Sequence, residues 1–207
     1  MTVRIVLATR NRGKLAELER ILGDLDLELL AIDAFGGEGP DETGATFEEN
    51  ALVKARLAAS ATGLPALADD SGLEVDALGG LPGVISARYA GPQADDAANR
   101  AKLLEALTAV QAPQDRGARF VCAAALVSPD AREWTTLGIM AGRIITEPRG
   151  EGGFGYDPIF VGLGETRTNA ELPPEVKDAR SHRGAAFRAL RPALQELIVH
   201  GQPSGSG

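Results

Sequence analysis

The stretch VRIVLATRNRGKLAELERILG, residues 3–23, decides the fold class. Its first six residues, Val3–Ala8, form an apolar and largely β-branched run, which predicts a buried strand. From Leu15 onward the apolar residues recur at the spacing of one helix face, and Gly23 is placed to end that helix. The stretch therefore predicts a strand, a turn and a helix in direct succession, which is the repeating unit of α/β proteins.

The same alternation continues along the chain. Apolar runs predict further strands, and capping-box or one-face spacing predicts further helices. In chain order these are a strand at 27–32, a helix at 46–62 ended by Gly63, a strand at 64–68, a helix from Asp95 or Asp96 to about 110, strands at 118–127 and 135–145, a strand at 158–161, and a helix from Ser181. Pro129-Asp130 between the two longest strands predicts an antiparallel pair, so the predicted class is α/β with a mixed sheet.

Length and composition bound the class of protein. A chain of 207 residues is the length of one domain, and its 44% apolar content supports a core without disulfides or a structural metal. No apolar run approaches the roughly 18 residues of a membrane helix, and the N-terminal sequence lacks the pattern of a signal peptide. The one cysteine, Cys122, lies in the apolar run FVCAAALV, which predicts a buried thiol in a cytoplasmic protein.

The distribution of charge is more informative than the net charge of −8, which argues against a nucleic-acid partner. Basic residues cluster at 10–14 and 177–183, and acidic residues cluster at 38–49 and at Asp69-Asp70. A metal-bound polyphosphate requires separated clusters of this kind. The alternative for any single cluster is ordinary solvated surface.

The turn Thr9–Lys14 follows the first strand and begins the first helix. Free N–H groups and the helix dipole favour an anion there, and Lys14 adds a positive charge. The turn is not a P-loop, because Ala8 stands where that motif needs its first glycine and Leu15 stands where it needs serine or threonine. A phosphate-binding turn of another kind and a plain basic turn both remain open.

Asp69-Asp70-Ser71-Gly72 places two carboxylates at the predicted end of a strand, where α/β sheets hold their ligands. Adjacent acids repel each other unless a cation is close, and hard oxygen ligands favour Mg²⁺. The alternative is a helix cap followed by a turn acid.

Two further motifs exclude other enzymes. Gly150–Gly155 matches the dinucleotide-binding pattern G-x-G-x-x-G. That pattern must be followed by a helix, whereas the sequence predicts a turn and a strand here, so we reject a dinucleotide site. The interpretation that remains is a flexible loop suited to binding a planar base. Ser181-His182 lacks the nucleophile elbow of a serine hydrolase. At a helix N-terminus the dipole disfavours protonated His182, so we expect a hydrogen-bonding group rather than a base.

The motifs together resemble one family. In order, the sequence contains TRNRGK (9–14), ETGATFEENALVKA (42–55), ADDSGLEVDALGGLPGVISARYAG (68–91), GGFGYDPIF (152–160) and SHRGAA (181–186). These blocks closely resemble the inosine and xanthosine triphosphate pyrophosphatases, and the resemblance covers roughly residues 3–198. Members of that family often have glycine where this chain has Arg10.

The resemblance implies an elongated α/β fold of two lobes around a central nucleotide-binding cleft, with residues 1–200 as one domain, usually in a homodimer. We expect residues 201–207 to be a disordered tail. The resemblance also implies Mg²⁺-dependent cleavage of inosine, deoxyinosine and xanthosine triphosphates (ITP, dITP and XTP) to the monophosphate and pyrophosphate. That activity would keep deaminated purines out of DNA and RNA.

The resemblance also assigns site residues. Glu42 and Asp70 would hold Mg²⁺, and Asp70 would accept the proton of the attacking water, with Asp69 as a neighbour that could share this work. Lys14 and Lys177 would stabilise the leaving pyrophosphate. The residues implied to bind the nucleotide are Thr9, Arg10, Asn11, Arg12, Gly13, Lys14, Ser71, Phe154, Gly155, Tyr156, Asp157, Lys177, His182 and Arg183, with Glu49 and Lys54 as supporting residues.

Two alternatives remain open at the level of sequence. One is a related pyrophosphatase for pyrimidine or modified nucleotides, against which the His182-Arg183 pair and the GGFGYDP loop argue. The other is a nucleotide-sensing or RNA-binding module without catalysis, which would bind ITP without releasing pyrophosphate.

Overall fold

The computed structural model describes residues 2–36, 44–110 and 112–200. The strands are β1 (Val3–Leu7), β2 (Leu27–Ala31), β3 (Ala66–Val75), β4 (Gly117–Val127), β5 (Glu133–Ile144) and β6 (Phe160–Gly162). The α-helices are α1 (Arg12–Leu22), α2 (Phe47–Thr62), α3 (Asp96–Ala106), α4 (Pro174–Arg180) and α5 (His182–His200). Short 3-10 helices include Gly83–Arg88, Asp157–Ile159 and Asn169–Glu171. Within the described ranges, no helix is both long enough and apolar enough to cross a membrane.

One mixed sheet contains all six strands in the order β2-β1-β3-β4-β5-β6. β1 pairs in parallel with β2 and β3, and β5 pairs antiparallel with β6. The neighbours β4 and β5 are joined by residues 128–132, where the Ser128 N–H donates to the Arg132 carbonyl. So short a connection joins only antiparallel strands, because a parallel pair needs a crossover of a dozen or more residues. The predicted class, α/β with a mixed sheet and flanking helices, is confirmed.

The chain divides into two compact units, and the first comprises Met1–Asp70, Ala123–Leu137 and Gly184–Gly207. Its core contains fully or almost fully buried side chains of β1, α1 and α5, among them Ile5, Leu18, Phe187, Leu190 and Leu194. The apolar spacing of these helices predicted the buried faces. Burial at about 25 cal/mol per Å² of apolar surface is the main force that holds such amphipathic elements in place.

The second unit comprises Ser71–Cys122 and Gly138–Arg183. Its core is one cluster of buried side chains from the later part of β3, α3, β4, β5 and the segment around β6, including Leu73, Leu103, Phe120, Ile144 and Phe160. Cys122 is buried, as predicted.

Three elements differ from the predictions. β3 does not end at Ala68 but continues to Val75. Residues 157–159 form a 3-10 helix, so β6 begins only at Phe160. Helix α4 was not predicted, although its first residue, Pro174, is a residue type favoured in the first turn of a helix. Residues 37–43, which include part of the acidic cluster at 38–49, and the predicted tail at 201–207 lie outside the described residues.

Candidate active site

Asp69 and Asp70 lie in the middle of β3, and only 1% and 4% of their surfaces are exposed. The prediction that they end the strand was wrong. The strand continues because Leu73 and Val75 enter the core of the second unit. It also continues because the charges of Asp69 and Asp70 are compensated by side chains of the first unit. A buried carboxylate is costly unless it is paired and hydrogen-bonded.

Each carboxylate faces a lysine. Lys14 Nζ of α1 lies 2.9 Å from Asp69 Oδ2, and Lys54 Nζ of α2 lies 2.8 Å from Asp70 Oδ1. Lys54 also donates to the backbone carbonyl of Asp69 at 3.3 Å. The four side chains form two ion pairs within the first unit, which explains how β3 tolerates two consecutive buried acids.

Asn50 is a third partner of this group that sequence reasoning missed. Its Nδ2 donates to Asp70 Oδ2 at 3.0 Å, and its Oδ1 accepts the Gly44 N–H at 2.8 Å. A Cβ on Gly44 would approach this oxygen to 2.6 Å, so the contact requires glycine. The signal was present in the sequence, because Asn50 and Lys54 are four residues apart and therefore share one face of α2.

The turn before α1 is held by its own polar side chains. Asn11 caps the helix by accepting the Lys14 N–H at 3.1 Å, and Thr9 Oγ1 accepts the Asn11 N–H at 3.2 Å. Arg10 forms an exposed ion pair with Asp33 at 3.0 Å. Among the residues that the structure describes, Ala131 is the one non-glycine residue with a positive φ, so Arg10 occupies a backbone conformation that does not need glycine.

In the second unit two cations approach the half-buried ring of Phe154. Lys177 Nζ is 4.9 Å and Arg183 Cζ is 5.6 Å from the ring centroid, within the range of cation–π attraction. Lys177 Nζ is also 2.5 Å from Asp157 Oδ2, and the guanidinium of Arg183 donates to Ser71 Oγ at 2.7 Å. Lys177 and Arg183 are almost fully buried, so their charges are held in place rather than free in solvent.

The loop that carries Phe154 is tied to α3. Gly155 is bonded on both sides of its backbone, since its N–H donates to Asp96 and its carbonyl accepts from Arg100, both at 2.7 Å. The Tyr156 hydroxyl donates to the Ser86 carbonyl at 2.9 Å. Burial, with smaller contributions from nearby charges, raises the pKa of Tyr156 well above its ordinary value. These hydrogen bonds connect the loop to α3 and to the 3-10 helix Gly83–Arg88 within the second unit.

His182 is the first residue of α5 and is buried. Its ring stacks on Phe120, with centroids 4.7 Å apart and planes inclined by 10°. This stacking fixes the ring plane, and the role of His182 as a hydrogen-bonding group stays a prediction.

Comparison with known proteins identifies the family, because the model of the Ham1 family matches residues 5–193. The chain belongs to the Ham1 family. The dITP/XTP pyrophosphatase of Frankia alni is 56% identical over 204 residues, which cover 95% of this chain and all of that protein. That of Streptomyces coelicolor is 54% identical over 199 residues, covering 94% of this chain and 98% of that protein. A solved HAM1 protein from Coxiella burnetii has a TM-score of 0.84 at 48% identity, covering 94% of this chain and 99% of that one.

In this member of the Ham1 family the predicted site residues fall into one group in each unit. The first unit contains Thr9, Arg10, Asn11, Arg12, Gly13, Lys14, Asp69 and Asp70, and the second contains Ser71, Phe154, Gly155, Tyr156, Asp157, Lys177, His182 and Arg183. Glu42, a predicted metal ligand, lies outside the described residues. Glu49 accepts the N–H groups of Ala45 and Thr46 in the predicted capping box, so it has a structural task at the start of α2. The functional roles remain predictions.

The donor chemistry of the first group fits Mg²⁺. Asp69 and Asp70 present hard carboxylate oxygens, which Mg²⁺ prefers, and the ion usually takes one or two protein carboxylates and completes its shell with water and substrate phosphates. Across the described parts of the chain no cluster has three or more acidic, histidine or cysteine side chains placed for a metal. A metal here would therefore depend on phosphate oxygens, water or Glu42 for its remaining ligands.

Proposed function

We propose that this protein hydrolyses ITP, dITP and XTP to the nucleoside monophosphate and pyrophosphate, and so removes deaminated purines from the nucleotide pool. One observation carries the proposal. The buried Asp69-Asp70 pair, with a lysine on each carboxylate, lies in a chain whose relatives named dITP/XTP pyrophosphatases are more than 50% identical over nearly its full length.

The first unit is proposed to bind the triphosphate. The N-terminus of α1 supplies N–H groups and a favourable dipole for phosphate oxygens, and Lys14 supplies a positive charge beside them. Asp70, with Glu42, would hold Mg²⁺, which when bound neutralises phosphate charge and lowers the pKa of water. Fixed charges of this kind lower the barrier because they are in place before charge develops on the departing pyrophosphate.

The attacking water is proposed to lose its proton to a carboxylate of β3. Asp70 is the first candidate, because Asn50 and Lys54 hold both of its oxygens in fixed directions. Asp69 is adjacent and could share the proton. Attack at the α-phosphorus then breaks the bond to the bridging oxygen, and pyrophosphate leaves.

The second unit is proposed to bind the purine. Phe154 offers a ring for stacking, and Arg183 and His182 supply donors for the 6-keto oxygen of hypoxanthine or xanthine. Adenine has an amino group at this position, so it would leave a buried donor unpaired at a cost of about 1–3 kcal/mol. Guanine shares the keto group, so its rejection must act on its 2-amino group. Lys177 contacts Phe154 and Asp157, and we therefore assign it to the residues that bind the purine. Its direct role in stabilising the leaving pyrophosphate stays a prediction.

We further propose that the protein acts as a homodimer in the cytoplasm. The family resemblance supports the homodimer, and the prediction of a buried thiol at Cys122 without a signal peptide supports the cytoplasm. Sedimentation velocity of the purified protein tests the first, and a fluorescent fusion in the native cell tests the second.

The decisive experiment is a product assay on a panel of nucleoside triphosphates. We expect pyrophosphate, without orthophosphate, from ITP, dITP and XTP in Mg²⁺, and little product from ATP, GTP or pyrimidine triphosphates. Asp70→Asn should keep the circular-dichroism spectrum and reduce the rate by at least about 100-fold, equivalent to about 2.7 kcal/mol of transition-state stabilisation. Binding of ITP without pyrophosphate release would instead establish the sensor alternative, and preference for pyrimidine triphosphates would establish the other pyrophosphatase class.

A further inference from the structure

The glycine-rich loop before Phe154 rests on the 3-10 turn Asn169–Glu171. The Gly152 N–H donates to the Ala170 carbonyl at 3.0 Å. A Cβ on Gly150 or Gly152 would lie 2.6 or 2.9 Å from backbone atoms of Ala170, so both positions require glycine. The loop and the turn are therefore in direct backbone contact.

Asn169 is the residue of this turn whose side chain contacts Asp157, one of the residues predicted to bind the nucleotide. It is 1% exposed, and its Nδ2 donates to Asp157 Oδ1 at 3.2 Å and contacts Met140 Sδ at 3.9 Å. Its Oδ1 is buried and accepts no hydrogen bond from any residue that the structure describes. A buried acceptor without a partner destabilises a fold, and leucine of similar size would avoid that cost. The unpaired oxygen of Asn169 therefore costs stability, and what offsets it is the hydrogen bond that its Nδ2 donates to the buried Asp157 carboxylate.

The same contact also bears on the orientation of the Asp157 carboxylate. Asp157 Oδ2 accepts the Phe154 N–H at 2.9 Å and lies 2.5 Å from Lys177 Nζ, while Asn169 engages Oδ1. With partners on both oxygens the carboxylate plane is fixed. Without Asn169 it could turn about its last torsion, which has broad and weak preferences. Lys177 and the Phe154 backbone would then lose a fixed acceptor.

We propose that Asn169 is a positioning residue for the nucleotide. Its amide orients the Asp157 carboxylate, which in turn holds Lys177 and the backbone of Phe154 in the arrangement that receives the purine. The inference rests on the proposed function, because it assigns these residues to purine binding. Asn169 itself does not contact the nucleotide in this proposal.

The test compares Asn169→Leu and Asn169→Ala with Thr168→Val as the matched control. Thr168 is the buried N-cap of this turn. Its hydroxyl donates to the Arg149 carbonyl at 2.7 Å and accepts the Glu171 N–H, so its loss disturbs the turn without removing the contact to Asp157. We expect both Asn169 variants to raise KM for ITP about tenfold while kcat changes less than about threefold. Asn169→Leu removes the donor to the buried Asp157 carboxylate as well as the unpaired oxygen, so Tm should fall in this variant and in Thr168→Val. KM should rise in the Asn169 variants and stay nearly unchanged in Thr168→Val.

A double-variant cycle tests whether Asn169 changes KM through Asp157. In an Asp157→Asn background, Asn169→Leu should raise KM no further, because the group through which it acts has already been changed. The inference is overturned if KM of both Asn169 variants stays within about twofold of wild type. It is also overturned if Thr168→Val raises KM equally, or if the two substitutions are additive. Absence of pyrophosphate release by the wild type would refute the proposed function instead.

Discussion

Replacing Lys14 by methionine separates the stability of the first unit from its proposed phosphate binding. Asp69 has a fully buried side chain, and Lys14 Nζ lies 2.9 Å from it with 15% of its own side chain exposed. Removing one partner of a buried ion pair costs about 3–5 kcal/mol, and the partial exposure of Lys14 favours the lower value. At about 2–4 °C per kcal/mol for a domain of this length, Lys14→Met should lower Tm by roughly 6–12 °C.

The double variant Lys14→Met/Asp69→Asn should recover most of this loss, because no buried charge is left without its counter-ion. Arg56→Met is the matched control. It breaks a more exposed pair with Glu133 in the same unit, so it should cost less than about 1 kcal/mol. Thermal unfolding followed by circular dichroism measures all three variants against wild type.

Nucleotide binding is measured by calorimetry without Mg²⁺, so that the substrate stays intact. Lys14→Met and the double variant should both bind ITP about tenfold more weakly, a loss of about 1.4 kcal/mol, with inosine monophosphate nearly unaffected. Equal weakening of both nucleotides would place Lys14 away from the outer phosphates. Wild-type Tm in Lys14→Met, or a double variant as unstable as the single one, would refute the ion-pair argument.

Three further predictions test other parts of the structure. Arg183→Ala should lower kcat/KM for ITP at least about tenfold more than kcat/KM for ATP, because Arg183 is proposed to recognise the base. Steady-state assays of pyrophosphate release measure both values, and equal fold losses for the two substrates would contradict that role. Tyr156→Phe should lose about 1 kcal/mol of unfolding free energy at pH 7 with the bond to Ser86. The raised pKa of Tyr156 means that the native state keeps a phenolic proton that the unfolded chain loses above pH about 10, so the stability of the wild type falls above that pH. The variant lacks this group, and denaturant titrations should therefore show the stability difference between Tyr156→Phe and wild type vanish near pH 11. Arg116→Met should cost about 2–4 kcal/mol in the same titrations, because the buried guanidinium, whose pKa burial lowers, donates to four backbone carbonyls. All four would lose this donor, although the Leu107 carbonyl would keep the Val110 N–H. A loss below about 1 kcal/mol would contradict this prediction.

Helix α2 shows what local sequence can determine. Thr46 and Glu49 form the predicted capping box, and Gly63 ends the helix with a φ of 67°, in the left-handed region that favours glycine. All the information needed for this helix lies within its own residues and the two beside them. The same holds for α1, where Asn11 caps the start and Gly23 follows the last turn.

Strand β3 shows where local sequence fails. Two consecutive aspartates interrupt its apolar pattern and predicted an end to the strand. The strand continues because Lys14 and Lys54, which lie 55 and 16 positions from the carboxylates they pair with, neutralise them. Burial of an acid depends on partners that are distant in sequence, and composition along one segment cannot reveal them.

The predicted nucleotide-binding residues of the second unit were found in the sequence one by one, and their contacts with each other were not predicted. Each member stood out by its type: an aromatic residue in a glycine loop, and a lysine and an arginine near a histidine. The residues that hold them, Asn169, Asp96 and Arg100, are ordinary polar residues of a turn and a helix surface. They carry no local signal, because their role arises only from contacts with residues more than ten positions away.

The lysines of the first unit have a further consequence for the proposed chemistry. In the free protein Lys14 and Lys54 are counter-ions of the two carboxylates, so neither buried acid is left uncompensated. A metal-bound triphosphate brings both a cation that suits carboxylates and anionic oxygens that suit lysines. Binding can therefore replace the lysine–carboxylate pairs by metal–carboxylate and lysine–phosphate pairs. Every buried charge keeps a partner throughout, so no charge is left buried and uncompensated. We expect the unliganded protein to have the same Tm with and without Mg²⁺, because its carboxylates are already paired. It should gain stability from Mg²⁺ only when a triphosphate analogue that it cannot hydrolyse is present. A rise in Tm on Mg²⁺ alone would show that the lysines are poor counter-ions and that the metal site is complete without substrate.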